Sequence, residues 1–246
     1  MSDQEKERYG DWIQTVTGGQ FWPLDPRVED IRIEDIAWSL AKVCRFGGHC
    51  LVPYSVGQHC VLGSYVVESR TEDPKLALAF LLHDASEAYL GDVTRPLKHM
   101  PEFAFYREAE DRLLNVLEAK FKVSFEDPII KEVDNLMLST ERRDFLIEGP
   151  GWTRNSKPLE LPLTRWGWRK TGKRYLKRYE QLRKKHQQLL KEQGFLVFCS
   201  NCGGLLNDDS QCPMTPQYGV YVYTCEKCGE RSTFDMMAPV PLRVDA

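Results

Sequence analysis

His83 and Asp84 close a run of seven consecutive apolar residues, LALAFLL, and the chemistry of the chain starts from that doublet. An imidazole and a carboxylate are costly to bury without a partner. Imidazole nitrogen and carboxylate oxygen are ordinary ligands of a divalent metal, so the doublet reads as half of a metal site. Two more ionisable residues stand on or beside apolar helical faces, His59 before the doublet and Asp134 after it. Taken singly, each resembles an ordinary satisfied residue. In the order H…HD…D they offer two imidazoles and two carboxylates. That set suits Mn, Co, Fe, Zn or Mg and leaves positions for water and phosphate.

A second group of candidate ligands lies near the end of the chain. CSNCGG and CEKCGE are two C-x-x-C-G knuckles separated by 22 residues. The spacing lets two thiolates share one zinc, and the following glycine lets the backbone turn so that amides face sulfur. Cys199, Cys202, Cys225 and Cys228 are therefore expected to hold one structural zinc in a ribbon, with Cys212 a bystander. A redox role for the C-x-x-C pairs is disfavoured because no βαβ pattern surrounds them.

The elements that must position these residues follow from periodicity. Residues 11–26 mix Gly, Pro and aromatics and suggest an irregular segment with short β pieces. Apolar spacing predicts helices over 33–46, ending at the Gly47-Gly48 pair, and over 55–69 with Ser55 as N-cap. A helix over 74–90 carries the His-Asp doublet; others cover 101–122, with Phe105 on its apolar side, and the stretch after Pro128 that contains Asp134. Residues 149–164 form a Pro-rich loop, and a long helix runs from 164 to 194. Beyond Gly194 the composition shifts to Cys, Gly and β-formers, which sets a domain boundary there: 1–194 and 195–246.

With those residues in place, the chain resembles the HD-domain phosphohydrolase superfamily, and most of all its 5′-deoxynucleotidase-like branch and related prophage-encoded members. CRFGGH (44–49), YSVGQH (54–59), LLHDASEAYLGDVTRPLK (81–98) and DNLMLSTERRD (134–144) carry the likeness, which extends over about residues 12–190. It implies an all-α HD-domain helical bundle followed by a small β-rich zinc ribbon. It implies His59, His83, Asp84 and Asp134 as ligands of one divalent metal. Glu87 and Asp92 are implied as the acidic residues near the scissile phosphate, and Arg45 as a phosphate or transition-state contact. Physical chemistry agrees with those roles: Glu87 lies four residues after His83, nearly on the same face of a continuous helix, and an Arg fork clamps phosphate oxygens. His49 and Lys98 are secondary candidates for phosphate; Glu141, Arg142 and Arg143 read equally well as a structural ion-pair cluster.

The function expected is metal-dependent hydrolysis of deoxynucleotides, a dNMP going to deoxynucleoside and phosphate. A phage-type dNTP triphosphohydrolase, such as one taking dATP to deoxyadenosine and triphosphate, shares the ligands and is the alternative. A cyclic-nucleotide phosphodiesterase matches the motifs less well. A reading from another class is a nucleic-acid-binding protein with a non-catalytic HD domain. Residues 165–191 hold eleven Lys or Arg against one acid, Glu180, so nucleic acid is a partner to weigh, though not the favoured one. A homo-oligomer is the expected assembly. The 42% hydrophobic and 28% charged shares and the net charge of −3 are those of a water-soluble globular chain with no overall attraction to polyanions. The polar start, MSDQEKERYGDWIQ, and the lack of any long apolar run point to the cytoplasm and away from membranes.

Overall fold

The computed structural model describes residues 8–149, 156–160, 162–192, 206–208, 220–225 and 231–235. Two compact units divide the chain, Met1–Lys184 and Lys185–Ala246. The described residues are mostly helical with a little sheet, as an all-α bundle requires. None of the described helices is long and apolar enough to cross a membrane. The expected boundary at Gly194 lies outside the described residues, as do Cys199, Cys202, Cys212 and Cys228.

In the first unit, β1 (Ile13–Gln14) and β2 (Gln20–Phe21) pair antiparallel, which are the short β pieces expected of the irregular segment. Helix α1 (Ile33–Leu40) stops six residues short of the predicted end. The chain instead turns through a short 3-10 segment, Arg45–Gly48, in which Phe46, Gly47 and Gly48 all take positive φ, at 59°, 58° and 81°. A non-glycine residue in that region is uncommon, and two glycines beside it make the tight reversal affordable. Helix α2 (Val56–Thr71) is capped by the Ser55 hydroxyl, which accepts from the Gln58 N–H at 3.2 Å, as the sequence predicted. It is buried on nearly all sides: Val56, His59, Cys60, Ser64 and Val67 are all enclosed. Gly63 sets how closely α3 (Pro74–Leu82) can approach, since a Cβ there would sit 2.0 Å from Phe80 Cε1.

The helix predicted over 74–90 is broken. After α3 the chain tightens through residues 83–86 and resumes as a single turn, α4 (Glu87–Leu90). The cause is a change of partners at the carbonyls. The Ala85 N–H donates to Leu82 O at 2.8 Å, one residue short of the α-helical acceptor. That leaves Leu81 O for the Tyr175 hydroxyl at 2.6 Å, while His83 Nδ1 donates to Phe80 O at 2.6 Å. Side chains thus replace the α-helical donors just where the doublet stands.

Next come α5 (Arg95–Lys98) and α6 (Ala104–Phe121), which buries Ala109, Leu113 and Leu117. Phe105, expected on that apolar side, is 58% exposed because it lies in the first turn, N-terminal to the buried stripe. Helix α7 (Pro128–Phe145) starts with Pro128 behind Asp127, whose carboxylate accepts from the Ile129 N–H at 3.0 Å. Helix α8 (Trp168–Glu192) is held to α2 from both ends of its entry. The Gln58 amide donates to Thr164 O and accepts from the Trp166 N–H, each at 2.8 Å. Farther along, buried Arg178 donates to Ser64 Oγ and Ser64 O and pairs with Glu68 at 2.8 Å.

In the second unit, β3 (Leu206–Asp208), β4 (Val220–Cys225) and β5 (Arg231–Asp235) form an antiparallel sheet in that order, with Leu206 opposite Cys225. Of the expected zinc ligands, Cys225 alone falls in a described element, at the end of β4.

Candidate metal centre

Three helices converge on one point in the first unit. His59 comes from the second turn of α2, in its buried half, His83 and Asp84 from the break after α3, and Asp134 from the second turn of α7. One donor atom each from His59, His83 and Asp134 lies within 4.8 Å of the others, and Cys60, His83 and Asp84 form an overlapping group of the same size. His59 Nε2 stands 3.7 Å from Asp84 Oδ2 and 3.7 Å from Asp134 Oδ1; His83 Nε2 stands 3.2 Å from Asp84 Oδ1. The four residues expected as ligands are therefore brought together.

The two imidazoles are oriented alike. His83 Nδ1 is committed to Phe80 O, and His59 Nδ1 to Glu141 Oε1 at 2.6 Å. With each Nδ1 carrying the proton, each Nε2 presents a lone pair to the cluster. Both Nε2 atoms are buried and have no hydrogen-bond partner. Burial lowers the pKa of His83, against the pull of Asp84, which favours the neutral ring a metal needs. For Asp134, burial works upward, but the imidazoles of His59 and His83, then Arg45 and Lys131, outweigh it and hold the carboxyl below its usual range. Two orphaned buried nitrogens facing two carboxylates are what a bound divalent cation would complete, so these residues fit the group.

Arg45 is placed by backbone pairing rather than by a helix. Its N–H donates to Tyr54 O at 2.9 Å, the Val56 N–H donates to Val43 O at 3.0 Å, and Cys44 bridges Ser55. The guanidinium then reaches Asp84 Oδ2 at 3.5 Å and Glu141 Oε2 at 3.0 Å, the latter a charge contact without hydrogen-bond alignment. Burial disfavours the cation, yet Glu141, Asp84 and Asp134 together raise its pKa, so Arg45 stays charged.

Glu141 is the residue the sequence left undecided and the structure explains. It is fully buried, accepts from the Tyr54 hydroxyl at 3.0 Å as well as from His59, and lies against Arg45. One carboxylate thereby orients a candidate ligand and a candidate phosphate contact. Its spacing of seven residues from Asp134 on α7 places both on one helical face, a signal that was available in the sequence.

Glu87 begins α4, so the break, and not a continuous helix, sets its position relative to His83. Burial, then Asp84 and Asp92, push its carboxyl well above the ordinary range, and Oε2 is buried without a hydrogen-bond partner. Asp92 is also pushed upward by burial, with Arg45 opposing. Lys98 pairs with Glu110 at 2.7 Å and stands over the Tyr106 ring at 5.6 Å. His49 is exposed at the end of the Arg45 turn. Arg142 and Arg143 point elsewhere: Arg142 reaches Gly149 O, and Arg143 pairs with Asp144 at 2.7 Å and with Leu159 O. Two cations unmarked in the sequence reading stand at Asp134 instead, Lys131 at 2.9 Å and Arg95 at 3.8 Å.

No family model matches the chain. It is 39% identical over 147 residues to the uncharacterized protein YfdR of Escherichia coli K12, a match covering 57% of this chain and 76% of the relative. It is 36% identical over 114 residues to the uncharacterized protein RCAP_rcc00048 of Rhodobacter capsulatus, covering 45% of this chain and 58% of that one. On the extent and identity of the first match, this chain belongs to the same protein family as YfdR.

Proposed function

We propose that this protein is an HD-type metal-dependent phosphohydrolase acting on deoxynucleotides, with a dNMP as substrate and deoxynucleoside and phosphate as products. The observation that carries the reading is the pair of buried, unpartnered Nε2 atoms of His59 and His83 facing Asp84 and Asp134. The substrate class rests on the resemblance of the motifs around these residues to the 5′-deoxynucleotidase-like branch. His59, His83, Asp84 and Asp134 would hold one divalent cation. When bound, it supplies Lewis acidity toward phosphoryl oxygen and makes water acidic enough to react near neutral pH.

The remaining chemistry belongs to the side chains. Both imidazoles have Nδ1 tied to an acceptor, so neither is free to shuttle protons from that nitrogen. Proton handling then falls to Glu87, whose Oε2 is enclosed and unpartnered, with Asp92 beyond the end of the same short helix. Arg45 carries a fixed positive charge beside Asp84 and can donate to phosphate oxygens as charge develops on them. Arg95 and Lys131, both exposed to solvent and close to Asp134, are placed to meet the entering anion.

The test incubates the metal-reconstituted protein with each dNMP and dNTP in turn and resolves the products by chromatography. Free phosphate from a dNMP supports the reading, and triphosphate from a dNTP moves it to the triphosphohydrolase alternative. Turnover of neither, with metal bound, refutes hydrolysis of both. Asp84→Ala is expected to abolish turnover and to weaken metal binding in the first unit.

A further inference from the structure

Two thiols outside the metal cluster face each other across the turn that carries Arg45. Cys44 Sγ and Cys50 Sγ stand 3.7 Å apart, both half-buried and both free. A disulfide bond is about 2.05 Å long, so a closing movement of roughly 1.7 Å joins them.

The backbone brings these sulfurs together from both sides. On the Cys44 side, Cys44 bridges Ser55 and the Arg45 N–H donates to Tyr54 O at 2.9 Å. On the Cys50 side, the Cys50 N–H donates to Gly48 O at 2.9 Å and the Leu51 N–H to Phe145 O at 2.8 Å. Between them Phe46, Gly47 and Gly48, all at positive φ, reverse the chain, and the His49 N–H closes the reversal on Phe46 O at 3.0 Å. One limb of the turn is thus anchored to the lead-in of α2 and the other to the end of α7. The sulfurs take part in none of these bonds; the Cys50 thiol makes one weak contact, to Arg45 O at 3.9 Å.

The two thiols differ in environment. Burial raises the pKa of the Cys50 thiol and Cys44 adds to that, against the backbone at Tyr54. Cys50 is therefore slow to meet an oxidant by itself, and Cys44 reacts first. Cys60, the first unit's third cysteine, is fully buried inside α2, where no oxidant reaches it.

We propose that Cys44 and Cys50 form a reversible disulfide, with a hydroperoxide as oxidant, that fixes the turn positioning Arg45. The Cys44 sulfur, having given up its proton, attacks one peroxide oxygen. The O–O bond breaks, and the other oxygen leaves as water with that proton, so Cys44 becomes a sulfenic acid. The Cys50 sulfur then attacks the Cys44 sulfur; the S–O bond breaks, and the hydroxyl leaves as water with the Cys50 proton. The two sulfurs together lose two electrons and the peroxide gains them. The new bond ties the base of the arm whose guanidinium reaches Asp84 and Glu141. Its formation is independent of the proposed hydrolytic reading, since neither thiol belongs to the metal cluster.

The test treats the full-length protein with hydrogen peroxide, alkylates the remaining thiols after denaturation, and maps tryptic peptides by mass spectrometry without reductant. Trypsin cuts after Lys42, Arg45 and Arg70, so peptide 43–45 should appear joined to peptide 46–70 with the loss of two hydrogens. Fragmentation should place the link at Cys50 and leave Cys60 alkylated, and dithiothreitol should release both peptides. Closing this short loop should raise the melting temperature of the first unit by roughly 5 °C. Neither Cys44→Ser nor Cys50→Ser should show the link or the rise, while each melts as the reduced parent does. Asp84→Ala should form the link as the parent does, which separates failure of this inference from failure of the hydrolytic one. Oxygen added to Cys44 with no link overturns the inference, as does a link to Cys60 or to a second molecule. So does a fall in melting temperature on linking, because the bond would then strain the turn instead of fixing it.

Discussion

Replacing Glu141 by Gln tests whether the metal cluster depends on a carboxylate that does not belong to it. The substitution keeps size and one acceptor oxygen, so the 2.6 Å contact from His59 Nδ1 can persist. Two things change. The negative charge beside Arg45 disappears, and if the amide oxygen stays with His59 and Tyr54, its NH2 faces the guanidinium 3.0 Å away, donor against donor. Loss of a partner behind a ligating histidine typically reduces metal affinity about 10- to 100-fold, or roughly 1.4–2.8 kcal/mol. Stranding a buried charge costs about 3–5 kcal/mol. Arg45 keeps Asp84 at 3.5 Å and is 12% exposed, so about half that loss is expected in the melt of the metal-free protein. The assay titrates Mn into the metal-free parent and variant by calorimetry, with nitrogen NMR of the His59 ring reporting its tautomer. Tyr54→Phe is the control: it removes one donor to Glu141 and leaves the charge, and should cost about 1 kcal/mol of stability with metal affinity nearly intact. If Glu141→Gln folds and binds Mn within a factor of two of the parent, the carboxylate is not orienting His59 and the reasoning fails.

Three further outcomes follow from the packing around the cluster. Gly63→Ala should destabilise by about 3 kcal/mol, because Phe80 is fully buried against both His59 and His83 and cannot swing clear of a Cβ placed 2.0 Å from its ring; a denaturation midpoint within error of the parent would contradict this. Tyr175→Phe strands the Leu81 carbonyl, at a cost of about 1–2 kcal/mol. If the hydroxyl holds the break open, metal affinity should fall as well, and a stability loss with unchanged affinity would show the break to be self-sustaining. Asp144 bears on pH. Burial would raise its pKa, but the Arg143 side chain and the Leu163 N–H at 2.7 Å outweigh that and hold it below its ordinary value. A depressed carboxyl contributes stability above its unfolded pKa of about 3.9 and loses it as pH falls through the lower folded value. Chemical denaturation from about pH 5 down to about pH 2 should therefore show a shallower acid loss in Asp144→Asn than in the parent, from a starting point about 1 kcal/mol lower. Parallel curves would remove Asp144 from the account.

Which residues could meet is legible in their spacing along the chain. An apolar run ending in His83-Asp84, with His59 and Asp134 on flanking helices, contains the cluster because burial of those faces leaves the ionisable groups nowhere else to converge. The cap at Ser55 was equally legible, and the structure adds Asp73 and Asp127, each accepting from the first turn of its helix. The features that spacing does not carry depend on residues far apart in the chain. The break after Leu82 is held by Tyr175, 94 positions from the carbonyl it meets, so local periodicity read straight through it. The end of α1 at Leu40 and the turn around Arg45 are held by pairing with 54–56, which no helical propensity reports. Glu141 is the plainest case. As one member of ERRD it resembles its neighbours, yet it alone turns inward to the His59 ring, 82 positions away, while Arg143 turns to Asp144 at the surface. Composition and spacing fix the chemistry a side chain offers; which donor it faces is fixed by the packing of helices distant in sequence.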